Sequence, residues 1–175
     1  MDLSKALLDS RKSISEVASS RKAGIYGIFA KNLDCLTGIN IPQTGIIYVG
    51  MTEDSLDTRN HFLAKSSGFH SPRRSLGAIL KSELELEAIP RAPGPSPKNY
   101  DCYSFAGDGE IRLSDWMRLC LEYAIVELSS NLRAVETATI VEMQPPLNLT
   151  GWPNPQRRYI KDLRKTCKSE AKRAR

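Results

Sequence analysis

No apolar run in the 175-residue sequence approaches the ~20 residues that cross a bilayer. The first residues, Met1-Asp2-Leu3-Ser4-Lys5, lack the charged-then-apolar pattern of a secretion signal. No membrane partner is expected, and the expected compartment is cytoplasmic. Cysteine is sparse and scattered, as Cys35, Cys102, Cys120 and Cys167, with no Cys-x-x-Cys pair. That spacing argues against a zinc site and against a disulfide framework, so all four are expected to be reduced. There is no internal repeat, no obvious second specificity domain and no base-reading element. Histidine is limited to His61 and His70.

The hydrophobic fraction of 41% is ordinary for a globular chain. The length suits one core, with or without an appendage. Charge is unevenly spread. Between Gln156 and Arg175, nine basic residues face two acids, so a +7 end follows a body of −2. Arg157, Arg158, Lys161, Arg164, Lys165 and Lys168 belong to this run. A basic end suggests a polyanion partner, because neutralised phosphates release counterions. A solvated helix face is the plainer alternative.

Hydrophobic periodicity predicts an amphipathic helix over residues 3–20, with Leu3, Leu7, Ile14 and Val17 on one side. Strands are expected at Ile25–Phe29 and Ile46–Val49, paired antiparallel across a loop containing Gly38 and Pro42. A helix is expected over Thr52–Ser67, capped by Asp54 or Ser55. Ser71-Pro72 opens another, with Leu76, Ile79, Leu80 and Leu84 as its stripe. Residues 89–99 read as a Pro-rich loop, Leu119–Leu128 as strand, and Asn131 as the cap of a helix ending before Pro145-Pro146. After a break at 151–155, the basic tail reads as helix. The expected class is α+β: a small, mostly antiparallel three-stranded sheet flanked by helices, with a basic C-terminal helix. The expected division is an N-terminal helix at 1–20 packed on the core, a central domain at 21–152 and a basic helix or arm at 153–175.

Two predicted strands each carry a tyrosine and a glycine: Gly24-Ile25-Tyr26 and Tyr48-Val49-Gly50. Antiparallel pairing can bring the two phenols to one face, a place for proton transfer on a phosphodiester; aromatic core packing is the alternative. Two charges fall on stripes that should be apolar. Arg59 lies between Leu56, Phe62 and Leu63, where its head either snorkels to water or meets an anion. Glu136 falls within Leu132, Val135, Ile140 and Met143, and needs a cation, a metal or donors; an internal ion pair with Arg59 is the alternative. His61 is expected at the surface, opposite Arg59. Arg73 and Arg74 occupy a helix first turn, where the macrodipole disfavours cations, so an external phosphate or plain solvation must account for them.

These positions together resemble the GIY-YIG nuclease superfamily, which includes the incision subunit of bacterial excision repair and some homing and restriction endonucleases. Gly24-Ile25-Tyr26 matches the first element and Tyr48-Val49-Gly50 the second, with valine for isoleucine. Arg59 matches the family arginine across a slightly longer loop. Glu136 matches the family glutamate, opening a segment that ends in Pro145-Pro146-Leu147-Asn148. The narrower likeness is to small single-domain members of bacterial type. Met51 stands where many members have lysine or serine, and Leu63 where many have tyrosine or histidine.

The resemblance implies metal-dependent endonuclease chemistry on DNA, with RNA or branched nucleic acid as other substrates. Glu136 would hold magnesium, or manganese, and Arg59 would clamp the phosphate. Tyr26 would act as base or position water, and Tyr48 would orient water or phosphate. Asn148 would organise the site, and either His61 or His70 would assist. Charge and placement, rather than the resemblance, make Arg73, Arg74 and the basic tail candidates to contact nucleic acid. The alternative is a nucleic-acid-binding module of GIY-YIG fold with little or no nuclease activity. The sequence carries no indication of oligomeric state.

Overall fold

Gly24–Ala30 is buried at every position and forms the central strand of the sheet in the computed structural model, which describes residues 2–62 and 65–174. The elements run α1 (Leu3–Asp9), β1 (Gly24–Ala30), β2 (Ile46–Thr52), α2 (Ser71–Ile79), β3 (Ala88–Ile89), α3 (Pro97–Asp101), β4 (Ser104–Phe105), α4 (Gly109–Cys120), β5 (Leu121–Glu127), α5 (Leu132–Met143) and α6 (Arg157–Arg173). The class is α+β, with a three-stranded antiparallel sheet and six helices among the described residues, as the sequence predicts. None of those helices is long and apolar enough to cross a membrane, and no disulfide forms among the described residues. Two compact units are present: Met1–Asn60 with Arg118–Gln156, and His61–Met117 with Arg157–Arg175.

In the first unit the sheet order is β2-β1-β5. Ile25, Phe29, Ile46, Val49 and Ala124 pack with Leu3 and Leu7 of α1 and with Leu132, Ile140 and Met143 of α5. The other face carries Tyr26, Tyr48 and Tyr123, because Tyr26 lies opposite Gly50 and Ile125, while Ile28 lies opposite Tyr48 and Tyr123. Side chains alternate between faces, so this register fixes all three phenols on one side.

The helix expected over residues 3–20 stops at Asp9. Its continuation is captured by the sheet: Lys12 exchanges backbone hydrogen bonds with Tyr123, at 3.1 and 2.9 Å. The helix expected over Thr52–Ser67 does not form in the described residues. Thr52 ends β2, and a single 3₁₀ turn covers Asp57–Arg59. The amide groups of Leu56 and Asp57, which a helix from Thr52 would bond to residues 52 and 53, donate to the carbonyls of Lys22 and Ser20. Leu63, expected on the apolar side of that helix, and Arg175 lie outside the described residues.

In the second unit α6 packs against α2, α3 and β3, burying Ile160, Cys167 and Ala171. The basic tail is therefore an integral helix of this unit. α2 opens with Pro72 in its first turn as expected, but its N-cap is His70; the Ser71 hydroxyl instead receives an Arg164 N–H at 3.3 Å. Arg73 is not available to a phosphate. It is fully buried and ion-paired with Glu110 at 2.8 Å, and it also donates to the His61 carbonyl and the Ser114 hydroxyl. Glu110 belongs to α4, an element the periodicity did not predict.

Candidate active site

Tyr26 stands at the middle of the central strand and is only 3% exposed. Its ring crosses the neighbouring strand at Gly50, where a Cβ would strike the Tyr26 hydroxyl and ring carbons. The second glycine thus makes room for the first tyrosine. The Tyr48 ring centroid lies 6.2 Å from that of Tyr26, and the Tyr123 centroid 5.7 Å on the other side. Tyr123 is the member of this group that the sequence reading passed over. Its place in the third strand, two residues from Ile125 on the same face, was the pattern that could have found it.

Burial pushes the Tyr26 phenol well above the ordinary tyrosine value, and Tyr48, Tyr123 and the Glu136 carboxylate push the same way. The Arg59 guanidinium opposes them without offsetting them. Tyr26 is thus a neutral donor–acceptor group in the free protein. Burial raises Tyr123 as well.

Arg59 ends the 3₁₀ turn just beyond β2 and is exposed, not set in an apolar helix face. That turn is pinned by Asp57, whose carboxylate accepts the Ser19 hydroxyl at 2.5 Å and the Ser20 N–H at 2.8 Å. The guanidinium therefore has a fixed base and a solvent-facing head.

Glu136 lies on the α5 side toward β2 and is half-buried, with the Met51 amide near enough to favour its charged form. Loss of hydration raises its pKa above the ordinary carboxylate value, against the lowering effects of Arg133 and the Met51 amide. No Arg59–Glu136 ion pair, nor any other salt bridge to Glu136, forms among the described residues. Its neighbour Glu142 is exposed and takes a Ser4 hydroxyl at 2.7 Å.

Asn148 follows α5 on the segment lying along the outer edge of β2. Its amide oxygen accepts the Val49 N–H at 2.9 Å, and its NH₂ group donates to the Val49 carbonyl at 2.8 Å. With Leu147 N–H to the Ile47 carbonyl at 2.9 Å, this segment pairs the β2 edge as a short extra strand would.

His61 and His70 belong to the second unit. His61 is 3% exposed rather than a surface residue, because the chain there is not helical. The two Nδ1 atoms are 2.8 Å apart, so one ring donates and the other accepts. Arg74, in the same unit, is partly buried and donates to the Gly68 carbonyl at 2.7 Å.

Tyr26 and Tyr48 stand on one face of the three-stranded sheet, and the Arg59 guanidinium after β2 and the Glu136 carboxylate on α5 both act electrostatically on Tyr26. Among the described residues no cluster of three or more His, Cys, Asp or Glu gathers elsewhere or here. A single desolvated carboxylate that makes no salt bridge among the described residues fits a hard divalent ion that keeps several waters, and does not fit an all-protein cage. A family model described as the GIY-YIG catalytic domain matches residues 24–166. The chain belongs to this family of nucleases. No match was found among curated proteins or among solved structures.

Proposed function

We propose that the chain is a divalent-metal-dependent endonuclease that hydrolyses DNA phosphodiester bonds. The observation that carries this reading is Glu136: a half-buried carboxylate, raised by desolvation, beside the Met51 amide and electrostatically coupled to the buried Tyr26. Glu136 would hold one magnesium or manganese ion, which when bound supplies positive charge to the phosphate and leaving oxygen. Arg59 contributes bidentate donors to the phosphate oxygens from its exposed position. Tyr26, neutral in the free protein, orients the attacking water through its hydroxyl. At the ordinary phenol pKa of ~10 it would be about one part in a thousand ionised at pH 7, and burial reduces that further. Tyr48 flanks it. Asn148 is a positioning residue, acting through the β2 backbone.

The test is cleavage of plasmid and linear DNA with magnesium or manganese, repeated for Glu136→Ala and Arg59→Ala. Loss of cleavage in both, with folding retained, is the expected result. Metal-dependent cleavage that survives both changes would falsify the site assignment. A panel of nicked, branched and RNA substrates sets the substrate class.

A second reading, a binding module without turnover, draws on charge. The second unit carries sixteen lysines and arginines against nine acids, whereas the unit holding the sheet carries nine against eleven. Affinity for a polyanion therefore has its source outside the sheet. Salt-sensitive binding indifferent to Glu136, with no cleavage under any metal, would favour this reading.

A further inference from the structure

Phe69 is 66% exposed, yet its backbone is firmly held. It closes a 3₁₀ turn, Ser67–Phe69, whose first residue gives its N–H and hydroxyl to Glu110 at 2.7 and 2.9 Å. Gly68 bonds the Ser66 hydroxyl through its N–H and receives Arg74 at its carbonyl. Gly68 also meets Arg91 so closely that a Cβ there would lie 2.6 Å from the Arg91 Cβ. That approach sets the Arg91 guanidinium over the Phe69 ring, 4.8 Å from its centroid. Arg91 is itself tied down by its amide to the Asn99 carbonyl at 2.9 Å. A rigid aromatic ring capped by a guanidinium is thus presented to solvent with most of its surface open.

Charge supplies the second observation. Burial lowers the Arg74 pKa most, and the like charges of Arg164 and, less strongly, Arg91 push the same way. Its Nε is buried without a hydrogen-bond partner. Arg91 covers the Phe69 ring, Arg74 reaches the carbonyl of Gly68 next to it at 2.7 Å, and Arg164 reaches the Ser71 hydroxyl two residues on at 3.3 Å, in a unit of formal charge +7. Such repulsion is relieved by an anion. A flat ring with a guanidinium on it and cations alongside matches a nucleotide, with its π-face and its phosphate. A paired base has both faces covered by its neighbours, whereas an unpaired base has one to offer.

We propose that Phe69 and Arg91 form a stacking platform for one unpaired base of single-stranded DNA, with Arg74 and Arg164 beside its phosphate. This rests on the nucleic-acid part of the reading above and does not require cleavage.

The experiment measures binding of the full chain carrying Glu136→Gln, in EDTA, to a fluorescent blunt duplex and to the same duplex with a short single-stranded overhang. The overhang is expected to bind more tightly. Phe69→Ala should narrow that preference by about 5-fold or more, and Phe69→Trp should keep it. A 2-aminopurine in the overhang should be quenched by the parent and by Phe69→Trp, and less by Phe69→Ala. Because Phe69 is exposed, these changes do not threaten folding. A preference that is absent, or equal in Phe69→Ala, overturns the platform while leaving metal-dependent cleavage untouched. A Phe69-dependent preference in a protein that cleaves nothing sustains the platform and removes the nuclease reading.

Discussion

Asn148 brackets Val49, accepting its N–H at 2.9 Å and donating to its carbonyl at 2.8 Å. Val49 is fully buried, so both backbone groups would lose their partner in Asn148→Ala without gaining water. A buried polar group left unmet costs about 1–3 kcal/mol. The substitution should therefore lower the melting temperature, by roughly 2–4 °C per kcal/mol for a chain of this size. Asn148→Asp should do no better, since its carboxylate faces the Val49 carbonyl. Thermal denaturation followed by circular dichroism checks both, and an unchanged melt would show that the edge of β2 holds without the clamp.

Gly50 gives way to the Tyr26 ring, and a methyl group there would collide with the hydroxyl and two ring carbons. Tyr26 has Tyr48 and Tyr123 on either side, so the ring cannot swing aside freely. Gly50→Ala should displace the phenol by a fraction of an ångström or more, reducing turnover on the order of 100-fold. KM should change little if the proposed phosphate contact is made by Arg59, which lies beyond β2. Steady-state cleavage kinetics beside a melt separate this outcome from general unfolding.

The strands were legible because their signals are local. Gly24–Ala30 is apolar throughout, and Ile46–Val49 lies close behind a turn-forming segment. Asn131 and the proline pair bounded α5 correctly. What failed depended on distant partners. The periodicity of Thr52–Ser67 is helical, but the Leu56 and Asp57 amides are taken by carbonyls more than thirty residues upstream. That loss of helix also explains why Arg59 is exposed and His61 buried. α4 escaped notice because Ile111 and Leu119, 58% and 74% exposed, blur its apolar stripe. Arg73 looked like a surface cation because its partner Glu110 sits on that unrecognised helix. The pairs of glycine and tyrosine were visible in sequence, whereas Tyr123 needed the pairing of β5 with β1.

Glu110 accepts Arg73, the Ser67 amide and hydroxyl, and the Phe105 amide. Removing it leaves the fully buried Arg73 charge without its counterion. Glu110→Ala should cost about 3–5 kcal/mol, whereas Glu110→Gln, which keeps one acceptor oxygen but loses the charge and the second acceptor, should recover only part of that loss. Chemical denaturation gives both values; near-equal stability of Glu110→Ala and the parent would contradict a structural role for Arg73.

α6 buries Ile160, Cys167 and Ala171, so deleting the tail would damage the second unit and confound any binding assay. Its exposed cations are the better probe. Replacing Arg157, Arg158, Lys161 and Lys165 with glutamine leaves the buried face intact. Each one that meets a DNA phosphate should reduce the slope of log K against log salt by about 0.9. Titration at several salt concentrations checks this, and a slope unaltered by all four changes would place the DNA contacts on other residues.

Glu136 carries a consequence for stability as well as for chemistry. Its folded-state pKa lies above the ordinary carboxylate value because burial disfavours the charge. Between the unfolded and folded pKa values the native state binds more protons than the unfolded chain, so its stability falls as pH rises through that window. Above the window the loss is complete, and below ~4.3, the ordinary glutamate value, it vanishes. Glu136→Gln removes the titration and keeps an oxygen for the Met51 amide. The variant should therefore be inactive yet more heat-stable than the parent at pH 7, with the advantage shrinking as pH approaches 4. Melting curves across that range, without added metal, test the sign. Added magnesium should narrow the gap by stabilising only the parent, because only the parent keeps the carboxylate that would bind it. A parent more stable than Glu136→Gln at pH 7 in the absence of metal would mean that the carboxylate is satisfied by the protein itself.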